Sequence, residues 1–150
     1  MASEKPRISR IFMITGIIAV VAILAFVIPR FTKKSTVTRV GIMQIVEHPA
    51  LDASRDGFIK RLAELGFEEG KNIEYAIQNA QGDMAIAQSI AGKFVSENVD
   101  MILAIATPTA QAAANATRSI PIVITAVTDP VAAGLADSIS NPGTNVTGTS

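Results

Sequence analysis

One stretch decides the fold: Val99-Asp100-Met101-Ile102-Leu103-Ala104-Ile105-Ala106-Thr107-Pro108-Thr109-Ala110. Its apolar run is too short for a helix and meets a turn directly, which predicts a strand buried on both faces. We expect Thr107 to cap a following helix, with Pro108 at the first helical position, where its missing N–H costs nothing. The alanine-rich segment that comes next is a strong helix former.

This strand-to-helix turn also indicates where a ligand could bind. A strand that turns at once into a helix directs free backbone N–H groups and the positive end of the helix dipole at one point. In an open α/β sheet that point lies at the edge where the parallel strands end, and ligands bind there. An ordinary strand–helix junction without a ligand is the alternative.

Strands and helices alternate through the rest of the chain. Apolar or alternating segments predict strands at 39–46, 72–78 and 121–126, and residues 145–150 resemble the start of a fifth strand. The alternation predicts an α/β fold, a doubly wound parallel sheet with helices on both faces. Because the sequence stops within that last strand, we expect it to be the front part of a longer protein.

Three helices are expected in addition to the alanine-rich one. The first presents an apolar face and ends at Gly66, and the second begins at the capping residue Asp83. A short third helix is expected at 131–138, after Pro130. The apolar face of the first helix consists of Leu51, Phe58, Leu62 and Leu65, and that of the second of Ile86, Ile90 and Phe94.

The first 34 residues differ from the rest in charge and hydropathy. Residues 11–28 contain no charged side chain, and a helix of eighteen residues would be about 27 Å long, just enough to cross a bilayer. We therefore expect a basic tail at 1–10, a transmembrane anchor or uncleaved signal at 11–29, a tether at 30–38, and an extracytoplasmic lobe at 39–150 attached to the cell membrane. A cleaved signal peptide is the alternative, although no clear cleavage site is present.

Composition excludes several kinds of function. Residues 35–150 carry seven basic and twelve acidic side chains, a net charge of −5, which does not favour nucleic-acid binding. The chain has no cysteine and one histidine, so disulfides, thiolate chemistry and multi-histidine metal sites are excluded. No phosphate-binding glycine loop and no nucleophile elbow occurs, so we expect neither an enzyme nor a cofactor.

Several short motifs together resemble the tryptophan/tyrosine-type substrate-binding proteins of ABC transporters. The resemblance covers roughly residues 37–150, and its motifs are Gln44 with 48–52, 69–72, 79–82, 106–108, 128–130 and 145–148. It implies a type I periplasmic-binding-protein fold in which two lobes close on a ligand, this chain supplying the first lobe. It also implies an ABC permease as partner. Many members carry a lipid-bearing cysteine after the signal peptide, and this chain has none.

The resemblance implies that a free amino acid binds where the loops after the first, third and fourth strands converge. Seven side chains are expected at that place: Gln44, Glu47, His48, Thr107, Thr109, Thr128 and Asp129. Hydroxyl and N–H groups near Thr107 and Thr109 suit the ligand's carboxylate, and Asp129 or Glu47 suits its ammonium group. His48 could lie against an aromatic side chain of the ligand.

Each of these residues also has a purely structural interpretation. Thr107 and Asp129 could be helix caps, His48 a turn residue, and Gln44 a satisfied polar residue at a strand end. At the level of the whole protein, two alternatives remain. The domain could be the ligand sensor of a membrane receptor, or it could be a flavodoxin-like enzyme lobe.

Overall fold

The computed structural model describes residues 37–150, in which strands and helices alternate. These elements are, in chain order, β1 (Thr38–Gln44), α1 (Pro49–Glu64), β2 (Ile73–Asn79), α2 (Met84–Ser96), β3 (Met101–Ile105), α3 (Thr107–Ala116), β4 (Ile122–Thr125) and β5 (Val146–Gly148). The expected tail, anchor and most of the tether fall at 1–36, outside the described residues. None of the helices in the described part is long and apolar enough to cross a membrane.

All five strands form one parallel sheet in the order β2-β1-β3-β4-β5. The chain moves outward from β1 to β2, then returns to the other side of β1 with β3, which makes β1/β3 the switch point of the sheet. The strands β1, β3 and β4 therefore end side by side, at what we call the carboxyl edge. This confirms the predicted parallel α/β fold.

Helices cover both faces of the sheet, as the sequence predicts. Helix α1 lies on one face, where Leu51, Phe58 and Leu62 pack against a cluster centred on Ile42 and Leu103. Helices α2 and α3 lie on the other face and bury the larger cluster, which includes the side chains of Met43, Phe94, Ile102, Ala113 and Ile124. All residues of β3 after Met101 are buried, in agreement with a strand covered on both faces.

A close approach between β1 and α2 requires a glycine. A Cβ atom built on Gly41 would lie 2.6 Å from Cδ2 of Phe94, whose side chain is completely buried. The absence of a side chain at Gly41 therefore allows the aromatic ring to lie directly on the strand.

Two of the predicted apolar helix faces are partly wrong. Ile86 is 41% exposed, and the buried face of α2 consists of Ala87, Ile90, Ala91 and Phe94. Leu65 is 57% exposed, because α1 ends at Glu64 and Leu65 already belongs to the turn. Ile86 lies at the side of the buried face of α2, next to the completely buried Ala87, whereas Leu65 lies past the end of α1.

The prediction of a short helix at 131–138 is also wrong. A single turn forms instead, in which the carbonyl of Asp129 accepts from Ala133 N at 3.0 Å and that of Pro130 from Leu135 N at 2.9 Å. Gly134 then adopts a φ of 73°, which directs the chain out of the helical path. The connection from β4 to β5 is therefore made of turns.

Candidate ligand-binding site

The turn from β3 into α3 is made by the backbone of Ala106. Its φ of 82° and ψ of 156° reverse the chain in one residue, and its carbonyl accepts the first helical hydrogen bond, from Ala110 N at 3.1 Å. The expectation that Thr107 caps this helix is therefore wrong. Ala106 is the cap, no side chain takes part, and Thr107 is already the first helical residue, with Pro108 second.

Backbone donors at the start of α3 face the carboxyl edge. Within residues 37–150, neither Thr107 N–H nor Thr109 N–H has a hydrogen-bond acceptor. The Thr109 hydroxyl is buried and donates to the carbonyls of Ile105 and Ala106, 2.6 and 2.9 Å away. Thr109 can therefore offer its N–H but not its hydroxyl hydrogen, whereas Thr107 is half-exposed. The helix N-terminus here suits an anionic group.

The end of β1 and the loop that follows it (45–48, the β1–α1 loop) carry three of the predicted residues, Gln44 in the strand and Glu47 and His48 in the loop. Glu47 is exposed, and His48 caps α1, its Nδ1 accepting from Ala50 N at 3.2 Å. Gln44 is only 2% exposed, and its Nε2 donates to Val46 O at 2.6 Å and to Asp52 Oδ1 at 2.8 Å. Glu47 and His48 are thus at the surface of the carboxyl edge, and Gln44 lies beneath it.

The loop after β4 places Thr128 and Asp129 at the surface. Ala126 turns the chain with a φ of 56°. Asp129 Oδ1 then accepts from Val131 N at 3.0 Å and Ala132 N at 2.9 Å, so one carboxylate oxygen caps the turn. The second oxygen has no hydrogen bond within the described residues, and the exposed carboxylate can therefore cap the turn and still meet a ligand.

The carboxyl edge is acidic. The loops after the first four strands (45–48, 80–83, 106 and 126–129) contain three carboxylates, Glu47, Asp83 and Asp129, and no lysine or arginine. The carboxylate side chains of these loops favour a cationic group of a ligand, whereas the N-terminus of α3 favours an anionic group. In the described part of the chain, no three His, Cys, Asp or Glu side chains are grouped so as to hold a metal ion.

Residues 39–150 match the profile of a protein family described as ABC transporter substrate binding protein. The chain belongs to this family. This family consists of substrate-binding proteins, a non-enzyme class.

Individual members of the family resemble this chain closely. The chain is 60% identical over 111 residues to a tyrosine-binding protein of Clostridioides difficile (strain R20291), covering 74% of this chain and 32% of that protein. A substrate-binding protein with adhesive properties from Clostridium difficile, solved in a ligand-free, open form, has 61% identity and a TM-score of 0.75, covering 76% of this chain and 39% of that one. An ABC domain from Streptococcus pneumoniae solved with L-Trp has 34% identity and a TM-score of 0.73, with the same coverage.

The site of this substrate-binding protein also depends on a side-chain contact and on two backbone conformations that the sequence did not indicate. Asp52 holds the amide of Gln44, and the backbones of Ala106 and Ala126 shape two of the loops. A glycine at either position would have signalled a positive φ, but alanine carries no such signal. The Asp52 contact joins residues eight apart; both belong to the motif of Gln44 and residues 48–52, but the motif does not show that their side chains touch.

Proposed function

We propose that this protein is the extracytoplasmic solute-binding component of an ABC importer and that it captures an aromatic or other apolar amino acid. Membership of the substrate-binding family supports the transport role, and the tyrosine-binding and L-Trp-bound relatives support the ligand class. The chain spans about a third of the tyrosine-binding protein's length, so the proposal concerns the protein as its gene encodes it.

The single observation that supports an amino acid as the ligand is that two neighbouring loops offer groups of opposite character, N–H donors on one and a carboxylate on the other. Thr107 and Thr109 offer unpaired N–H groups two and four residues after Ile105, and Asp129 follows Thr125 by four residues. Ile105 and Thr125 are partners in the β3–β4 ladder, so both loops leave the sheet side by side. An α-amino acid presents the complementary pair, a carboxylate and an ammonium group.

We assign the ligand's carboxylate to Thr107 and the adjacent N–H groups, and its ammonium group to Asp129. Glu47 is the second candidate for the ammonium group, because it is the exposed carboxylate of the neighbouring β1–α1 loop. His48 and Thr128, also exposed, are assigned to the ligand's side chain. The side chains of Gln44 and Thr109 are buried and are not assigned to a part of the ligand.

Partners and location complete the proposal. An ABC permease would receive the ligand, and a segment at 11–29 would hold the protein at the outer side of the cell membrane. The uncharged run at 11–28 supports an anchor. The mass of the membrane-extracted protein tests it, because a mature N-terminus near residues 26–36 would contradict an uncleaved anchor.

Calorimetric titration with ligands that lack one charged group tests the function. L-Tyrosine and L-tryptophan are compared with tyramine, which lacks the carboxylate, and with 3-(4-hydroxyphenyl)propionate, which lacks the ammonium group. We expect both amino acids to bind and each analogue to bind at least about tenfold more weakly, since a lost charge-assisted hydrogen bond costs about 1.5–3 kcal/mol. Equal binding of the propionate would contradict a carboxylate site for the ammonium group.

A further inference from the structure

Gln44 ends β1 beneath the carboxyl edge, and its amide joins two separate parts of the chain. The Nε2 group donates to Val46 O at 2.6 Å, within the β1–α1 loop, and to Asp52 Oδ1 at 2.8 Å, in the first turns of α1. Asp52 is also fixed from its own helix, by Arg55 Nη1 at 3.3 Å. The amide therefore ties the loop to the helix that follows it.

The same loop is held from its other side by backbone hydrogen bonds. Gly82 N donates to Ile45 O at 2.7 Å, and Ala80 N donates to Gln44 O at 2.8 Å. These bonds fix the beginning of the β1–α1 loop, whereas the Gln44 amide fixes its middle, at Val46. Glu47 and His48 follow directly on that fixed point.

The oxygen of the Gln44 amide has no donor. Gln44 Oε1 is buried and makes no hydrogen bond within the described residues. Reversing the amide would not help, because the oxygen would then face the Val46 carbonyl and the Asp52 carboxylate, which offer no hydrogen. A buried acceptor without a partner destabilises a protein, and an apolar side chain would avoid this loss. The unpaired oxygen offsets part of what the two Nε2 bonds contribute to stability, so their clearest effect is to hold the β1–α1 loop against α1.

We propose that Gln44 is a positioning residue of the amino-acid site: its amide nitrogen holds the β1–α1 loop against α1, and so sets where Glu47 and His48 stand at the carboxyl edge. Gln44 does not touch the ligand in this account. The inference rests on the proposed function, because it concerns how that site is shaped.

The variant Gln44→Glu tests the inference with almost no change of shape. Its carboxylate cannot donate to Val46 O and would repel Asp52, so we expect L-tyrosine affinity at pH 8 to fall at least about tenfold (about 1.4 kcal/mol). Burial beside the Asp52 carboxylate should raise the pKa of the introduced carboxyl, so at pH 5 it should be partly protonated, regain one donor and recover part of the affinity. Asp52, Glu47, His48 and Arg55 are the other charged or ionisable side chains near this point, so the L-tyrosine affinity of the parent protein is measured at both pH values as the reference.

Two further variants separate positioning from a general loss of stability. Gln88→Glu makes the same chemical change at an exposed site on α2, and it should leave the affinity unchanged at both pH values. Asp52→Ala removes the helix-side acceptor and leaves the Val46 bond, so it should weaken L-tyrosine binding by a smaller factor of about three to ten. It also serves as the test should Gln44→Glu not fold.

Hydrogen exchange measured by mass spectrometry gives a readout that needs no ligand. At pH 8, Gln44→Glu should exchange faster than the parent at 45–52 and equally at α3. Unchanged exchange at 45–52 would overturn the inference, as would parental affinity in both Gln44→Glu at pH 8 and Asp52→Ala. A parent protein that binds no amino acid would instead overturn the proposed function, while the exchange result would still decide the role of Gln44.

Discussion

Replacing Ala106 by glycine should stabilise this protein, although glycine usually destabilises. Ala106 has φ 82° and ψ 156°, a backbone conformation almost restricted to glycine because a Cβ crowds the neighbouring peptides. Such strain costs about 1–3 kcal/mol, and glycine loses about 0.5–1 kcal/mol through the greater freedom of its unfolded chain. The expected net gain in the free energy of unfolding is therefore up to about 2.5 kcal/mol.

Thermal unfolding followed by circular dichroism measures this gain. For a domain of this size the midpoint should rise by up to about 10 °C. Ala104→Gly is the matched control, since Ala104 is completely buried in β3 with ordinary strand geometry. It loses a buried methyl group and should lower stability by about 1–2 kcal/mol. If Ala106→Gly lowers the midpoint as Ala104→Gly does, Ala106 is not strained and the reasoning is refuted.

Two further substitutions test the packing of the sheet. Gly41→Ala should lower the free energy of unfolding by about 1–3 kcal/mol, because the added Cβ meets the buried ring of Phe94. The control Gly92→Ala adds a methyl group in open space on α2 and should raise the free energy of unfolding by about 0.5–1 kcal/mol. Equal denaturation midpoints for the two variants would disprove the clash. Tyr75→Phe should stabilise by up to about 1 kcal/mol, because the Tyr75 hydroxyl is buried without a hydrogen-bond partner among residues 37–150. Burial, and secondarily the charge of Glu69, raise the pKa of Tyr75, so the folded parent resists ionisation and loses stability as the pH rises above about 10. The advantage of Tyr75→Phe in urea denaturation should therefore grow from pH 8 to pH 10.5, and a constant difference would contradict this.

The architecture could be predicted because its signals are local. The apolar run before Thr107 specifies a buried strand, and the alternation of strands and helices specifies a parallel sheet. Asp83 caps α2 as predicted, accepting from Ala85 N at 2.6 Å and Ile86 N at 3.2 Å. In each case the deciding residues are close together in the chain.

The details of the site depend on the backbone and on contacts that no local pattern encodes. Thr107 has a side chain that suits a helix cap, but the positive φ of Ala106 makes Ala106 the cap. The helix therefore begins one residue earlier than a Thr107 cap would allow. The helix expected after Pro130 fails because Gly134 turns the chain after one turn. The place of Gln44 follows from its contact with Asp52, which forms only once α1 packs on the sheet.

We propose that the carboxyl edge of this sheet holds the ammonium group of an amino acid on Asp129. The direct measurement is calorimetric titration of the protein, as its gene encodes it, with L-tyrosine, comparing the parent with Asp129→Asn and Asp137→Asn. An asparagine at position 129 can still accept from Val131 N and Ala132 N, so the turn persists while the charge is lost. Asp137 is an exposed carboxylate of the same β4–β5 connection, outside the four loops.

We expect Asp129→Asn to weaken binding by about 2–4 kcal/mol, because the ligand's ammonium group is left without its charged partner. Asp137→Asn should change binding by less than about 0.5 kcal/mol. If Asp129→Asn binds L-tyrosine as tightly as the parent while both remain folded, the ammonium group lies elsewhere. The assignment of the ammonium group to Asp129 is then wrong, and Glu47 becomes the residue to replace.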